Sequence, residues 1–240
     1  MNLHFFVCFH NTVHNQIYKV TEEEQEKYIT FYGVKQRQSL KNVIYESTLP
    51  HFNPLLQLNR YNEGSCIYHV FKNNLYTKYD YVGFCQYDME FPPHFFKEIQ
   101  TNLDENANTI FNIGFFEWWF KGGQTTIIKD YPEYDIVAGL TSYNQTFGTT
   151  YTPFDLVKNK MIKCNTFLIP KRMYAKMMYW LEPYFKDSID RNLLDTVNNC
   201  PFDPGHMIEA LTGMFLSLEI SQGAVYKNMI LNHDHVYKIL

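Results

Sequence analysis

Two periodicities run along the chain. Residues Leu3–Phe9 form an unbroken apolar run, the pattern of a central strand covered on both faces. It closes in the polar triplet His10-Asn11-Thr12. Thr21-Glu22-Glu23-Glu24 has the spacing of a capping box with acid in the first turn, so a helix is predicted to start there. Val43-Ile44-Tyr45 reads as a short second strand. From Glu63 to Leu75 the period changes: Ile67, Val70, Phe71 and Leu75 make one apolar helical face.

Tyr79 to Tyr87 is strongly strand-like and stops at Asp88-Met89-Glu90-Phe91-Pro92-Pro93. Pro93 suits the first turn of a helix through Phe96, Ile99 and Leu103. Thr109–Phe116 is a further predicted strand, leading into the aromatic loop Glu117-Trp118-Trp119-Phe120-Lys121-Gly122-Gly123. Lys163–Ile169 is another strand, and Pro170 is predicted to open a long helix with Met173, Met177, Trp180 and Leu181 inward. A last helix covers His206 to Leu218, and a last strand covers Ala224–Leu231 before Asn232-His233-Asp234-His235. Strands alternating with helices predict an α/β fold with a mostly parallel central sheet flanked by helices. Such sheets bind ligands beyond the carboxyl ends of their strands. The polar groups that follow strands are therefore the ones to examine.

The length of 240 residues suits one sizeable domain, taken here as 1–240, since no linker or charge run divides it. A net charge of −4 without a Lys/Arg cluster argues against a nucleic-acid partner. Aromatics reach 18%, a composition with rings to spare for stacking on sugars or bases and equally a compositional bias of the source. Cys8, Cys66, Cys85, Cys164 and Cys200 are dispersed and contain no CxxC pair, which fits a reducing compartment. The short apolar N-terminus lacks a basic region and a cleavage site, and no stretch approaches the roughly 18 apolar residues of a membrane span. The expectation is a soluble cytoplasmic protein, in which the sequon Asn144-Gln145-Thr146 is a chance match. There is no P-loop, GxGxxG or GxSxG motif.

The segment richest in chemistry is Asp80 to Glu90, a buried strand delivering Asp88 and Glu90 at its end. Carboxylates at i and i+2 of an extended chain point the same way and can hold one hard divalent cation through oxygen. Mg²⁺ or Mn²⁺ so placed would neutralise the charge that a diphosphate gains as its sugar leaves. The competing reading is an acidic strand-to-turn junction, with Asp88 capping the next helix.

This Asp-x-Glu resembles a variant of the Asp-x-Asp motif of glycosyltransferases with the GT-A fold. The likeness extends to Tyr61-Asn62-Glu63, to the helix through Tyr68 and Lys72-Asn73, and to the strand Tyr81-Val82-Gly83-Phe84-Cys85-Gln86-Tyr87. These resemble the core of small glycosyltransferases from bacterial capsule and lipopolysaccharide clusters, and similar enzymes of large DNA viruses. Cys164 to Lys171 resembles that family's later core strand, and the helix from Gly205 through Glu209 its acceptor-side helix. The family commonly carries basic residues where this chain has Asp88-Met89-Glu90, a departure at the point that bears on metal use.

The resemblance implies a GT-A-like, Rossmann-like domain that transfers a hexosyl or pentosyl group from a UDP- or GDP-linked sugar to a glycan or glycoprotein acceptor. It implies that the first strand's end holds the nucleotide, which makes His10, Asn11 and Tyr45 candidate contacts to base or ribose, with Asp88 on the metal, the ribose or both. A further metal ligand near the C-terminus would be His233 or His235, and a histidine would favour Mn²⁺. An inverting enzyme needs a base at the acceptor hydroxyl. Glu209, Asp203 and His206 are the candidates, whereas a retaining enzyme needs none of them. Trp118 and Trp119 could form the acceptor platform, or simply pack beneath a helix. Two other readings stay open: a non-catalytic nucleotide- or carbohydrate-binding module on the same fold, and a metal-dependent hydrolase or nucleotidyltransferase.

Overall fold

The computed structural model describes residues 1–58, 61–103, 108–114, 118–119, 133–157, 160–162, 164–190 and 204–232. β1 (Leu3–Phe9) is followed by α1 (Glu22–Tyr28), β2 (Ile29–Gly33), β3 (Val43–Tyr45), α2 (Pro54–Leu58) and α3 (Glu63–Lys72). Then come β4 (Tyr81–Gln86), α4 (Phe95–Asn102), β5 (Thr109–Asn112), β6 (Trp118–Trp119), α5 (Glu133–Phe147) and α6 (Pro153–Val157). β7 (Lys160–Met161), β8 (Phe167–Pro170), α7 (Lys171–Asp190), α8 (Pro204–Ser221) and β9 (Val225–Asn228) complete the order.

Seven strands form one sheet in the order β3-β2-β1-β4-β8-β5-β9. β1 pairs in parallel with β2 and β4, β2 with β3, and β5 with β9. β8 is antiparallel to both β4 and β5, so it alone runs against the other six. The sheet is thus mixed, with the mostly parallel character expected. Pro170 is the last residue of β8 and not the first of the helix: it pairs with Tyr81, and α7 begins at Lys171, whose N–H donates to Asp80 O at 2.8 Å.

Both faces of the sheet are covered, because side chains of a strand alternate. Phe6, Cys8, Val82, Phe84, Phe167 and Ile169 face one core, closed by Val70 of α3, Tyr143 of α5, Trp180 of α7 and Phe215 of α8. Phe5, Val7, Phe9, Phe31, Cys85 and Leu168 face the other, closed by Tyr18, Phe91, Phe95, Phe96 and Ile99. This is why the β1 and β4 sequences show no polar alternation. Gly83 sits opposite Phe5 in the register, and a Cβ there would come within 2.4 Å of two Phe5 ring carbons. Gly213 of α8 likewise lies so close to the strand beside it that a Cβ would stand 2.6 Å from the Ile162 carbonyl oxygen.

The capping box forms as the sequence implies: Glu24 N–H donates to Thr21 Oγ1 at 3.1 Å, and Thr21 N–H donates to Glu24 Oε2 at 3.0 Å. Cys8, Cys66, Cys85 and Cys164 carry free thiols. No helix among the described residues is long and apolar enough to cross a membrane.

Candidate functional site

β1, β2, β3 and β4 all finish at the same end of the sheet, and reversed β8 begins there. His10, the first residue after β1, has Nδ1 3.7 Å from Glu63 Oε1 at the start of α3. Its ring stands edge-on to Tyr87, with centroids 5.3 Å apart. Partial burial pushes the His10 imidazole below its ordinary pKa; the Asp88 carboxylate opposes that shift and the Lys35 ammonium adds to it. The ends of three strands and the start of one helix therefore bring His10, Lys35, Glu63 and Asp88 into one mixed-charge cluster.

The loops that carry these groups are tied together. Gln38 turns its side-chain amide onto the backbone of Val13: Val13 N–H donates to Oε1 at 2.8 Å, and Nε2 donates to Val13 O at 3.0 Å. Tyr45 donates its hydroxyl to the Gln38 carbonyl, and the Arg37 guanidinium lies 5.6 Å from the Tyr45 ring centroid. Tyr45 is thus half-buried at the rim and braces the loop after β2, while Asn11 is exposed and accepts from Thr12 N–H at 2.8 Å.

The acidic pair differs from the expected arrangement. β4 ends at Gln86, and Met89 N–H donates to Gln86 O at 3.4 Å, closing a turn over Tyr87 and Asp88. The rule that i and i+2 side chains point together holds on extended chain only, so the turn removes its premise. Asp88 sits close enough to His10, Tyr18 and Cys85 to shift all three electrostatically. Glu90 instead forms an ion pair with Lys19, and its backbone N–H donates to Asn232 O at 2.8 Å. Both carboxylates are buried, at 6% and 7% exposure.

At the far side, Cys164 N–H donates to Glu209 Oε1 at 2.8 Å, which ties the second turn of α8 to the turn that opens β8. His206 is exposed on the first turn of the same helix. The backbone of Trp118 and Trp119 pairs antiparallel with Met161 and Lys160, so β6 and β7 approach the same corner; whether the two indoles form a platform lies outside the described residues. Asp203, His233 and His235 also lie outside them.

No family model matches the chain, and no curated protein does. A solved structure does: the fold aligns with "WbbM bifunctional glycosytransferase apo structure" at a TM-score of 0.53 and 15% identity, over 97% of this chain and 45% of that one. The fold is glycosyltransferase-like. The chain spans less than half the length of that protein, and at this identity the likeness extends to architecture alone.

On this glycosyltransferase-like fold the fit to a divalent cation is incomplete. Among the described residues no group of three His, Cys, Asp or Glu side chains is arranged to hold a metal ion, and the Glu90 carboxylate is already met by Lys19.

Sequence reasoning missed a buried polar knot behind Tyr45. Ser65 Oγ donates to Glu46 Oε2 at 2.6 Å, and Gln57 Nε2 donates to Glu46 Oε1. Asn53 N–H donates to His69 Nε2 at 2.9 Å, which leaves the ring proton on Nδ1, 3.2 Å from Ser65 Oγ and 3.4 Å from Glu46 Oε2. The only sequence signal was Ser65 and His69 four apart on one helix. Ser65 is 0% exposed, so this Ser–His–Glu set presents no nucleophile and instead anchors α3 to the segment after β3. Reasoning from strand ends also missed Asn165, because that residue precedes its strand.

Proposed function

We propose that the chain is a glycosyltransferase that moves a sugar from a UDP- or GDP-linked donor onto a glycan or glycoprotein acceptor. The observation that carries this reading is the polar cluster of His10, Lys35, Glu63 and Asp88 at the strand ends of a glycosyltransferase-like sheet. In transfer, the anomeric carbon–phosphate oxygen bond breaks and its electron pair stays on the diphosphate. The acceptor oxygen forms the new bond and loses its proton to a base. Developing negative charge on the diphosphate is best met by fixed positive groups, here Lys35 and Arg37 after β2. Arg37 stacked on Tyr45 offers a flat edge to the base.

On the acceptor side, Glu209 uses one oxygen to hold the Cys164 turn, which suits a positioning role, and His206 is the exposed acid–base group at the start of α8. Asp203 is the third candidate base. A Mn²⁺ or Mg²⁺ requirement, through Asp88 with His233 or His235, is an added element of the proposal with its own experimental arm.

The test is calorimetry with UDP-, GDP- and TDP-sugars, with Mn²⁺ and with a chelator, followed by nucleotide-release assays on glycan acceptors. Binding of one nucleotide series and acceptor-dependent release are expected; no binding across the panel overturns the proposal. Binding that survives chelation with no release at all would favour a non-catalytic module, a reading supported by the engagement of Glu90 and Glu209 in protein contacts.

A further inference from the structure

The turn that opens β8 holds a polar group that the reading above leaves unused. Cys164 and Asn165 both adopt left-handed backbone, with φ of 61° and 48°. Such conformations are unfavourable for non-glycine residues and gather at functional sites. The Asn165 side chain is buried, at 5% exposure, and its Oδ1 has no hydrogen-bond partner among the described residues. Buried amide oxygens nearly always have one, and leaving one without it costs stability.

The neighbourhood of this atom is well defined. Phe167 pairs with Phe84 of β4 and with Asn112 of β5, so Asn165 lies just past both ladders, at the end where β4 and β5 finish. Thr166 Oγ1 donates to Cys164 O at 2.8 Å, and Ile113 N–H donates to Thr166 O at 3.4 Å. Glu209 holds the turn from α8. On one side stands β4, which leads into the Asp88 turn, and on the other α8, whose Glu209 holds Cys164. Asn165 therefore sits between the strand that leads to Asp88 and the helix that carries His206 and Glu209.

We propose that Asn165 reads the transferred sugar: its carboxamide oxygen accepts a hydrogen bond from a hydroxyl of the donor's sugar. The proposal rests on the glycosyltransferase reading and deepens it. A phosphate offers no hydrogen to an amide oxygen, whereas a sugar presents several hydroxyl donors. The χ2 torsion of asparagine is soft, so the amide can turn to a ligand while the backbone stays put. A site built to bond a hydroxyl also rejects the analogue lacking it, because its own buried group is then left unsatisfied.

Asparagine tolerates left-handed backbone better than most residues, so a role confined to the turn is the competing account. Asn165→Gly separates the two, since glycine adopts that backbone more readily and carries no amide. The experiment compares wild type, Asn165→Gly and Asn165→Asp for melting temperature, for binding of the nucleoside diphosphate alone, and for kcat/KM with the parent donor and its deoxy-sugar analogues. The expected result is that Asn165→Gly melts no lower than wild type, binds the nucleoside diphosphate equally well, and loses about tenfold or more in kcat/KM. Its discrimination against one deoxy analogue should fall with it, while Asn165→Asp, which keeps an acceptor oxygen, should retain part of that discrimination. Wild-type kcat/KM and wild-type discrimination in Asn165→Gly would overturn the proposal, as would a parallel loss of nucleoside diphosphate binding. A wild-type chain that neither binds nor turns over any nucleotide sugar would instead overturn the glycosyltransferase reading.

Discussion

Gly83 is fixed by a single contact, the Phe5 ring that lies 2.4 Å from where its Cβ would be. Gly83→Ala should lower stability by about 1–3 kcal/mol through overpacking, seen as a lower urea midpoint with unchanged slope. Buried His4 gives a second prediction at this scale. Its Nε2 lies 2.8 Å from Thr30 Oγ1, its ring stacks on Tyr79, and burial lowers its pKa from 6.5 to about 4. The unfolded ring takes up a proton near 6.5 and the folded one only near 4, so stability is intact above the first value and falls as pH drops through that window. The loss should reach on the order of 3 kcal/mol below the lower value and be absent in His4→Gln, as read from denaturation at a series of pH values. Individual side chains were the least legible part of the sequence. Asp88 and Glu90 read as a pair because the strand before them is plain in the sequence, but the local Gln86–Met89 turn carries no glycine or proline to mark it, and the distant Lys19 is a tertiary partner with no local signature.

Elements were legible where a period or a cap marked them. The unbroken apolar run of β1, the stripe of α3 and the Thr21 capping box all formed at the expected places. β2 escaped because α1 passes into it at Ile29 with no glycine or proline to mark the change. α5 escaped because Gly139, Thr141, Ser142 and Asn144 blur its helical period, although Gly139 has a packing reason: a Cβ there would lie 2.5 Å from Leu211 Cδ2. The direction of β8 has no sequence mark at all. Thr21→Ala should cost about 1 kcal/mol, measurable by thermal melting. Gln38→Ala unties the loops after β1 and β2, and is expected to weaken nucleotide-sugar binding several-fold while the melting temperature stays nearly constant, as checked by calorimetry alongside melting.

At the scale of the whole molecule, a net charge of −4 repels an anionic donor, so local positive groups must offset it. Lys35→Ala and Arg37→Ala should each weaken binding of a nucleotide-diphosphate sugar, the double variant more than either. Wild-type affinity should fall as ionic strength rises, since both side chains are exposed and screened. Titrations at two salt concentrations check this.

The near-contact of the Gly213 backbone with the Ile162 carbonyl carries a mechanical consequence. The helix meets the chain after β7 at backbone distance, with the Met161 side chain packed alongside, so little slack is left between them. The wall bearing His206, Glu209, Met161 and the paired Trp118 backbone would then travel as one plate. Past the helix end that wall is fastened at Gly223, which takes a φ of 96°, donates its N–H to Ile220 O at 3.0 Å and accepts from Asn108 Nδ2 at 3.2 Å.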